Sequence, residues 1–150
     1  MTLRIAAESP VSDSGRSLIA GSQAALMAVC EPDEIFTMTA EELDSPHITF
    51  HVARIDGIAL GCGASVDYGD YAEVKRLFVA SEARGKGIAQ AIMDVIETNA
   101  RVAAKIWVRL ETTPVLTAAI ALYAGRGYVE RGPFGNYPPH PASLFMEKRL

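Results

Sequence analysis

Two glycines with basic neighbours lie between a predicted strand and a predicted helix. The segment consists of Arg84, Gly85, Lys86, Gly87, Ile88 and Ala89. Glycine lets the main chain approach a ligand closely, and the free N–H groups and dipole at a helix N-terminus favour negative charge. A phosphate or pyrophosphate therefore suits this position, and the two basic side chains would add positive charge.

The segment at residues 84–89 does not follow either of the common glycine-rich nucleotide motifs. The P-loop spacing Gly-x-x-x-x-Gly-Lys-Ser/Thr is absent, and the third glycine of the dinucleotide motif is missing. Taken by itself, the segment is better explained as a basic surface turn. Its interpretation as an anion site depends on the elements around it.

The composition limits the class of protein. The chain has 150 residues, of which 49% are hydrophobic and 21% charged, which is the balance of a globular protein. It shows no internal repeat and no linker, so we predict one domain, 1–150. The net charge of -4 argues against broad binding of nucleic acid, which needs an electropositive face.

The chain also lacks signals for membranes, metals and disulfides. Its start alternates and has no secretory pattern, and no run approaches the roughly 20 apolar residues of a membrane span, so we expect a cytoplasmic protein. Cys30 and Cys62 lack zinc-like spacing, and the three histidines are scattered. We therefore expect no metal, and Cys62 has no neighbouring partners that would make it a nucleophile.

Hydrophobic periodicity predicts an alternation of strands and helices. Strands are predicted at residues 3–7, 48–53, 58–60, 71–79, 106–111, 128–131 and 143–148. Helices are predicted from Asp13 or Ser14 to Glu31-Pro32, at 87–102, and from Pro114 to Gly125-x-Gly127, with a loop or short helix at 33–47. This order favours an α/β fold of the α+β kind, with a mostly antiparallel sheet and helices on both faces.

Three features in this order resemble the GNAT family of N-acetyltransferases. The pattern Arg84-x-x-Gly87-x-Ala89 opens a helix after a strand, as the acyl-CoA signature of that family does. The strand at 110–112 and the helix at 119–123, followed by Gly127 and Tyr128, resemble the next strand and the tyrosine-bearing helix. The resemblance covers residues 71–128 well, and the outer parts by element order alone.

The resemblance implies acetyl-CoA as the acyl donor. Main-chain N–H groups from Gly85 to Ala89 would hold its pyrophosphate, and the backbone of Leu77, Phe78 and Val79 would pair with the pantetheine arm like an added strand. Many members carry Asn or Gln where this chain has Leu116. Binding of the cofactor is therefore expected to depend more on the main chain and on Arg126 than on a side chain at position 116.

The resemblance also implies direct transfer of the acetyl group to a primary amine in a ternary complex. Glu73 matches the position of the strand glutamate that serves as base in the histone-acetylating branch, and Tyr123 matches the acid that protonates the leaving thiolate. The N–H of Leu77 would bind the oxyanion. Glu73 could instead be an exposed carboxylate paired with Lys75 or Arg109, and Tyr123 could be a packed aromatic residue.

The acceptor is expected to be a small-molecule or peptide amine, whose identity the sequence leaves open. Candidate acceptor residues are Glu111, Phe134 and Tyr137, the latter two in the Pro/Gly-rich loop at 132–142. That loop could equally be a proline-stiffened connection or a homodimer contact. The rival hypotheses are a non-catalytic acyl-CoA-binding sensor and a different anion-binding α/β module.

Overall fold

The seven strands found within residues 2–150 belong to one sheet. The computed structural model describes residues 2–150. The strands are β1 Leu3–Ala7, β2 Ile48–Ile55, β3 Ile58–Asp67, β4 Tyr71–Val79, β5 Trp107–Thr112, β6 Val129–Arg131 and β7 Leu144–Arg149. Their order across the sheet is β1-β2-β3-β4-β5-β7-β6, and every pairing is antiparallel except that of β4 with β5. The predicted, mostly antiparallel sheet is thus confirmed.

Of the four α-helices found in the described part of the chain, the first ends earlier and the fourth begins later than the sequence predicted. They are α1 Asp13–Met27, α2 Ala40–Leu43, α3 Ile88–Val102 and α4 Thr117–Gly125. The prediction that α1 reaches residues 31–32 was wrong, because the chain turns at Ala28 and Pro32 starts a separate 3-10 turn. The α1 cap is Ser12, whose hydroxyl accepts from the N–H of Gly15, and not Asp13 or Ser14. No helix within residues 2–150 combines the length and hydropathy needed to cross a bilayer.

The predicted hairpin between β2 and β3 is confirmed. Its turn residues Asp56 and Gly57 both have positive φ, of 50° and 85°. Such a turn matches the twist of antiparallel strands, and the second position suits glycine. The hairpin lies at the centre of the antiparallel part of the sheet, β1 to β4, against which the helices pack.

Helices cover both faces of the sheet. On one face, α3 and α4 bury a cluster that includes Ile92, Ile96 and Tyr123 against the sheet. On the other face, α1 and α2 bury Leu18 and Leu43 against β2 and β3. The predicted layering of helices on both sides of the sheet is confirmed.

The strands β4 and β5 pair over only part of their length. Parallel pairing runs from Tyr71 opposite Trp107 to Val74 opposite Leu110, whereas β4 continues to Val79 and β5 to Thr112. Within the described residues, the later part of β4 is paired on its β3 side alone. The sheet therefore opens at its centre, and a main-chain edge of β4 becomes available to a ligand.

Candidate active site

A bulge in β4 directs two consecutive basic side chains to the same side of the sheet. The β3–β4 register shifts between Cys62 and Ala64, and Arg76 has a φ of 55°. On a regular strand, neighbouring side chains point to opposite faces. Here the Nζ of Lys75 donates to the Phe36 carbonyl (3.4 Å) and the Nε of Arg76 to the Met38 carbonyl (3.0 Å). Both cations therefore face the segment between α1 and α2.

The opening of the sheet forms a cavity of about 560 Å³, within the range of small-molecule sites. Its walls come from the later part of β4, the end of β5, the start of α3, α4, and the C-terminal half of α1 with the segment after it. The lining residues used below are Ser22, Lys75, Arg76, Leu77, Phe78, Val79, Arg84, Ala89, Glu111, Leu116 and Tyr123. The cavity thus joins the edge of β4 to the glycine-rich segment.

At one end of the cavity, the glycine-rich segment forms an open cradle at the start of α3. Gly85 and Gly87 have φ values of 77° and 76°, and a Cβ atom on either would meet nothing within 4 Å. Gly87 is the N-cap of α3, whose first turn presents N–H groups without helical acceptors. Arg84 and Lys86 are exposed, and neither forms an ion pair within residues 2–150. Space, donors and charge all suit a pyrophosphate here.

Two hydrophobic residues fix the cradle to the core. Ile88, directly after the N-cap, is 2% exposed and belongs to the core cluster between α3 and the sheet. Ala89 lines the cavity with a side chain too small to fill it. Ile88 thus anchors the helix start, while Ala89 leaves the approach to its N–H groups open.

Tyr123 lies on α4 with its ring in the core. It is 6% exposed, and burial raises the pKa of its phenol. Its hydroxyl makes no hydrogen bond within residues 2–150, where no unpartnered side-chain oxygen is fully buried. The hydroxyl must therefore retain some access to the cavity that Tyr123 lines. A raised pKa keeps the phenol protonated at neutral pH, so it can only donate a proton.

Glu111, near the end of β5, is a carboxylate that faces the cavity directly. Burial raises its pKa to about 7, against the opposing effect of the hydrogen bond from the Ser143 hydroxyl (2.9 Å). The charge of Lys75 also lowers the pKa, and that of Glu73 raises it. A carboxyl group that titrates near neutrality can accept a proton at physiological pH and release it again.

Glu73 is buried, unlike the exposed strand carboxylate considered as an alternative from the sequence. Its side chain is 3% exposed and lies 3.3 Å from the Nζ of Lys75. Its other neighbour is the Tyr137 hydroxyl, which donates to Oε2 at 2.5 Å and also accepts a hydrogen bond from Lys75. Glu73 therefore does not line the cavity itself. It is connected to the cavity through its ion pair with Lys75, which does line it.

The loop at 132–142 lies against this carboxylate. Phe134 is 6% exposed and packs edge-on against the rings of Tyr71, Tyr137 and Phe145. Phe134 is therefore a packing residue that supports the ring of Tyr137. Of the two aromatic residues expected at the acceptor, Tyr137 is the one in polar contact with a cavity residue, Lys75.

Arg126, which we predicted to contact the cofactor, makes its hydrogen bonds within the protein to residues of α3. Its guanidinium donates to the side chains of Gln90 (2.6 Å), Asp94 (2.8 Å) and Glu97 (3.1 Å). Glu97 is 2% exposed and also accepts from Tyr128 (2.9 Å) and Lys148 (2.8 Å). Burial alone would raise the pKa of Glu97, but these hydrogen bonds outweigh it and lower the pKa. We propose that the role of Arg126 is structural, as one of the hydrogen-bond donors grouped around the buried Glu97.

We expect Glu97→Gln to lower the free energy of unfolding by about 3 kcal/mol, because it leaves the partly buried Lys148 without an anion and removes one of the two carboxylates that pair with Arg126. Urea denaturation would measure the change. Because the pKa of Glu97 is lowered on folding, its contribution is present above the unfolded pKa and is lost as the pH falls through the folded one. The exposed Glu130→Gln is the matched control, and equal stability of the two variants would contradict the prediction.

The sequence alone did not identify Arg76 and Ser22 as site residues. Adjacent Lys75 and Arg76 were the available signal, since residues 71–75 alternate in polarity and a regular strand would place one of the two cations in the core. Ser22 gave no signal, because it falls on the apolar face of α1. Leu116, at the N-cap position of α4, lines the cavity with an apolar side chain.

Comparison with known proteins identifies the architecture. The sequence model of the acetyltransferase (GNAT) domain matches residues 46–130. An IAA acetyltransferase of Azospirillum brasilense is 42% identical over 148 residues, covering 97% of each chain. A crystal structure from Klebsiella pneumoniae, provisionally an acyl-CoA N-acyltransferase, is 30% identical with a TM-score of 0.83, covering 99% of this chain and 98% of that one. The PaiA N-acetyltransferase of Thermoplasma acidophilum, solved in complex with coenzyme A, has the same fold (TM-score 0.76, 15% identity, each chain fully covered).

Proposed function

We propose that this chain, which belongs to the GNAT family of acetyltransferases, transfers the acetyl group of acetyl-CoA directly to a primary amine. The observation that carries this proposal is the cavity itself. It joins an anion cradle at Arg84 and Ala89 to an unpaired edge of β4, a protonated phenol at Tyr123 and a carboxyl group at Glu111. Those are the groups that thioester aminolysis requires, in one continuous space.

The donor would bind along the edge of β4. In our proposal the N–H groups from Gly85 to Ala89 hold the pyrophosphate, with Arg84 and Lys86 adding charge. The pantetheine arm, which carries amide groups, would pair with the main chain of residues 77–79. This arrangement is supported by the absence of a strand on that side of β4 within the described residues.

The amine must lose a proton before it can attack. An alkyl ammonium has a pKa of about 10.4, so it is protonated at neutral pH. We propose Glu111 as the base, because it faces the cavity and its pKa is about 7. Glu73 stays the second candidate, since its hydrogen bond with Tyr137 and its ion pair with Lys75 would let it take a proton indirectly.

In the transfer step the amine nitrogen would bond to the thioester carbonyl carbon, and the C–S bond would break. The base takes the first proton of the ammonium group before the attack, and Tyr123 donates a proton to the leaving thiolate as the C–S bond breaks. The second proton, which the nitrogen loses as the intermediate collapses, returns to the Tyr123 oxygen, so the products are the N-acetyl compound and free CoA. The N–H of Leu77 is our proposed donor to the oxyanion of the intermediate. Acid and base thus act on different atoms of one ternary complex.

Acetyl-CoA, free CoA and ATP, each titrated calorimetrically into the protein, would test the donor site. A panel of primary amines with detection of released CoA thiol would then test catalysis. We expect selective binding of acetyl-CoA and CoA, and amine-dependent thiol release. Binding without release for every amine would leave an acyl-CoA-binding sensor, and competition by ATP but not by CoA would overturn the donor assignment.

We expect Glu111→Gln to lower kcat about 100-fold at pH 7 and to remove a rise in kcat through pH about 7. Below that pH Glu111 already carries a proton and cannot accept another. The measurement is kcat against pH at saturating acceptor. Ser143→Ala removes a hydrogen bond that lowers the pKa of Glu111, so the rise should move to higher pH. A profile changed by Glu73→Gln and unaffected by Glu111→Gln would make Glu73 the base.

A further inference from the structure

Arg76 is a buried cation without an anion. It is 9% exposed, and no carboxylate oxygen within residues 2–150 lies within 4.0 Å of its side-chain nitrogens. The other partly buried arginines each pair with a carboxylate; these are Arg54, Arg109, Arg126 and Arg131. Because an uncompensated charge is costly to bury, the exception at Arg76 calls for an external partner.

The protein contacts of Arg76 are neutral and leave part of the guanidinium free. Its Nε donates to the carbonyl of Met38 (3.0 Å), one terminal nitrogen to the Ser22 hydroxyl (3.3 Å) and the other to Oε1 of Gln23 (2.9 Å). A guanidinium has five N–H donors. One donor therefore remains on each terminal nitrogen, and such a pair matches the two oxygens of a carboxylate.

Arg76 borders open space on two sides. It lines the active-site cavity and also a second cavity of about 550 Å³ formed with α1 and the segment before α2. The backbone of Arg76 is in the left-handed region that favours glycine, with φ of 55°. A strained conformation of order 1–3 kcal/mol is retained when its surroundings enforce it, and such positions concentrate at functional sites.

Apart from Arg84 at the cradle and Glu111 on β5, the other charged groups around these cavities are already engaged within the protein. Arg16 in the second cavity pairs with Glu41 (2.9 Å), and Lys75 pairs with Glu73 (3.3 Å). The carboxylate of Glu34 accepts the N–H of Glu31 (2.7 Å) and so caps its own turn. The active-site cavity thus presents a free cation on β4 and an acid–base carboxyl on β5.

We propose that Arg76, with Ser22 and Gln23, binds a carboxylate of the acceptor, so that the acceptor is a compound of the free amino-acid type. This inference rests on the proposed function. The acceptor carboxylate bonds to the two remaining guanidinium donors, while its ammonium group lies toward Glu111. The opposite charges of Arg76 and Glu111 within one cavity complement a zwitterion.

Matched pairs of free amino acids and their carboxamides test this proposal, because the amide retains the amine and side chain but loses the negative charge. Acceptor-dependent CoA release gives kcat/KM for each member. For at least one pair we expect kcat/KM to be about 10- to 100-fold higher for the acid than for the amide, which is the range for hydrogen bonds to a charged group. Amides used as well as or better than the acids in every pair would overturn the proposal.

The variant Gln23→Glu tests the role of Arg76 without removing a buried side chain. The new carboxylate takes the place of an amide oxygen 2.9 Å from the guanidinium, so it neutralises Arg76 from within. We expect the preference for acids to disappear while acetyl-CoA binding is retained. Asn99→Asp, an exposed change of the same charge on α3, is the control and should keep the preference. Preference retained in Gln23→Glu would overturn the proposal.

A binding measurement separates failure of this inference from failure of the proposed function. The same acid and amide pairs are titrated into protein saturated with free CoA, where no transfer can occur. Preferential binding of acids that is lost in Gln23→Glu supports the carboxylate site even if no amine is acetylated. Acetyl-CoA turnover on an amine, combined with no preference for acids in either assay, overturns the carboxylate site and leaves the proposed function standing.

Discussion

Replacing Tyr123 by Phe should lower kcat by about 100- to 10,000-fold, the range for loss of a positioned general acid. The affinity for acetyl-CoA should change little, since the phenol ring is kept and only its hydroxyl is lost. Burial raises the pKa of this phenol, so it is protonated at neutral pH and its proton is available when the thiolate leaves. Single-turnover kinetics and calorimetry on the same preparation would separate the two effects.

Tyr128→Phe is the matched control for Tyr123→Phe. The two rings are in contact, with centroids 5.8 Å apart, but the Tyr128 hydroxyl donates to Glu97 at 2.9 Å. We expect Tyr128→Phe to cost about 1.5–3 kcal/mol in stability, as for a hydrogen bond to a charged group, with turnover near wild type. Loss of acetyl-CoA binding in Tyr123→Phe, with kcat retained, would instead make Tyr123 a packing or CoA-contact residue.

The substitution Gly87→Glu should weaken acetyl-CoA binding by about 100-fold or more, equal to about 2.7 kcal/mol. The position has room for the side chain, because a Cβ there meets nothing within 4 Å. A carboxylate at the N-cap of α3 would occupy the space proposed for the pyrophosphate and repel it. Calorimetric Kd values for acetyl-CoA, measured at two salt concentrations, would test this.

Two control variants isolate the charge effect at Gly87. Gly87→Gln has the same length and the same strain at a φ of 76°, but no charge, so it should weaken binding less. Gly69→Glu puts the same residue at another open turn, with φ of 84°, and should leave the Kd unchanged. Equal Kd values for Gly87→Glu and Gly87→Gln would indicate that steric block or strain, rather than charge, controls the cradle.

Where local periodicity was combined with a turn or capping glycine, the sequence was sufficient. The apolar residues of α3 recur at helical spacing, and Gly87 stands at its start as predicted. The turn at Asp56-Gly57 fixed the β2–β3 hairpin in the same way. The helix α1 was overextended because its apolar spacing continues to Val29, whereas its end is set by how the chain folds back after Ala28.

The cradle and the position of Tyr123 were predictable because each depends on short-range pattern and on the family resemblance. The environment of each titratable group was not. Glu73 and Glu111 are both glutamates in strands, and only the packed structure buries one under Tyr137 and Lys75 and turns the other into the cavity. Burial and neighbouring charge, which set a pKa, come from residues far apart in the chain.

By itself the sequence determined the order of the elements, the acyl-CoA signature and the acetyltransferase family, because these depend on spacing along the chain. Tertiary structure decided which side chains share the cavity. The bulge at Arg76 turns two successive cations to one face, and the divergence of β4 from β5 leaves an edge of β4 unpaired. Both depend on strand pairing between distant segments, where one residue of register reverses the face that a side chain occupies.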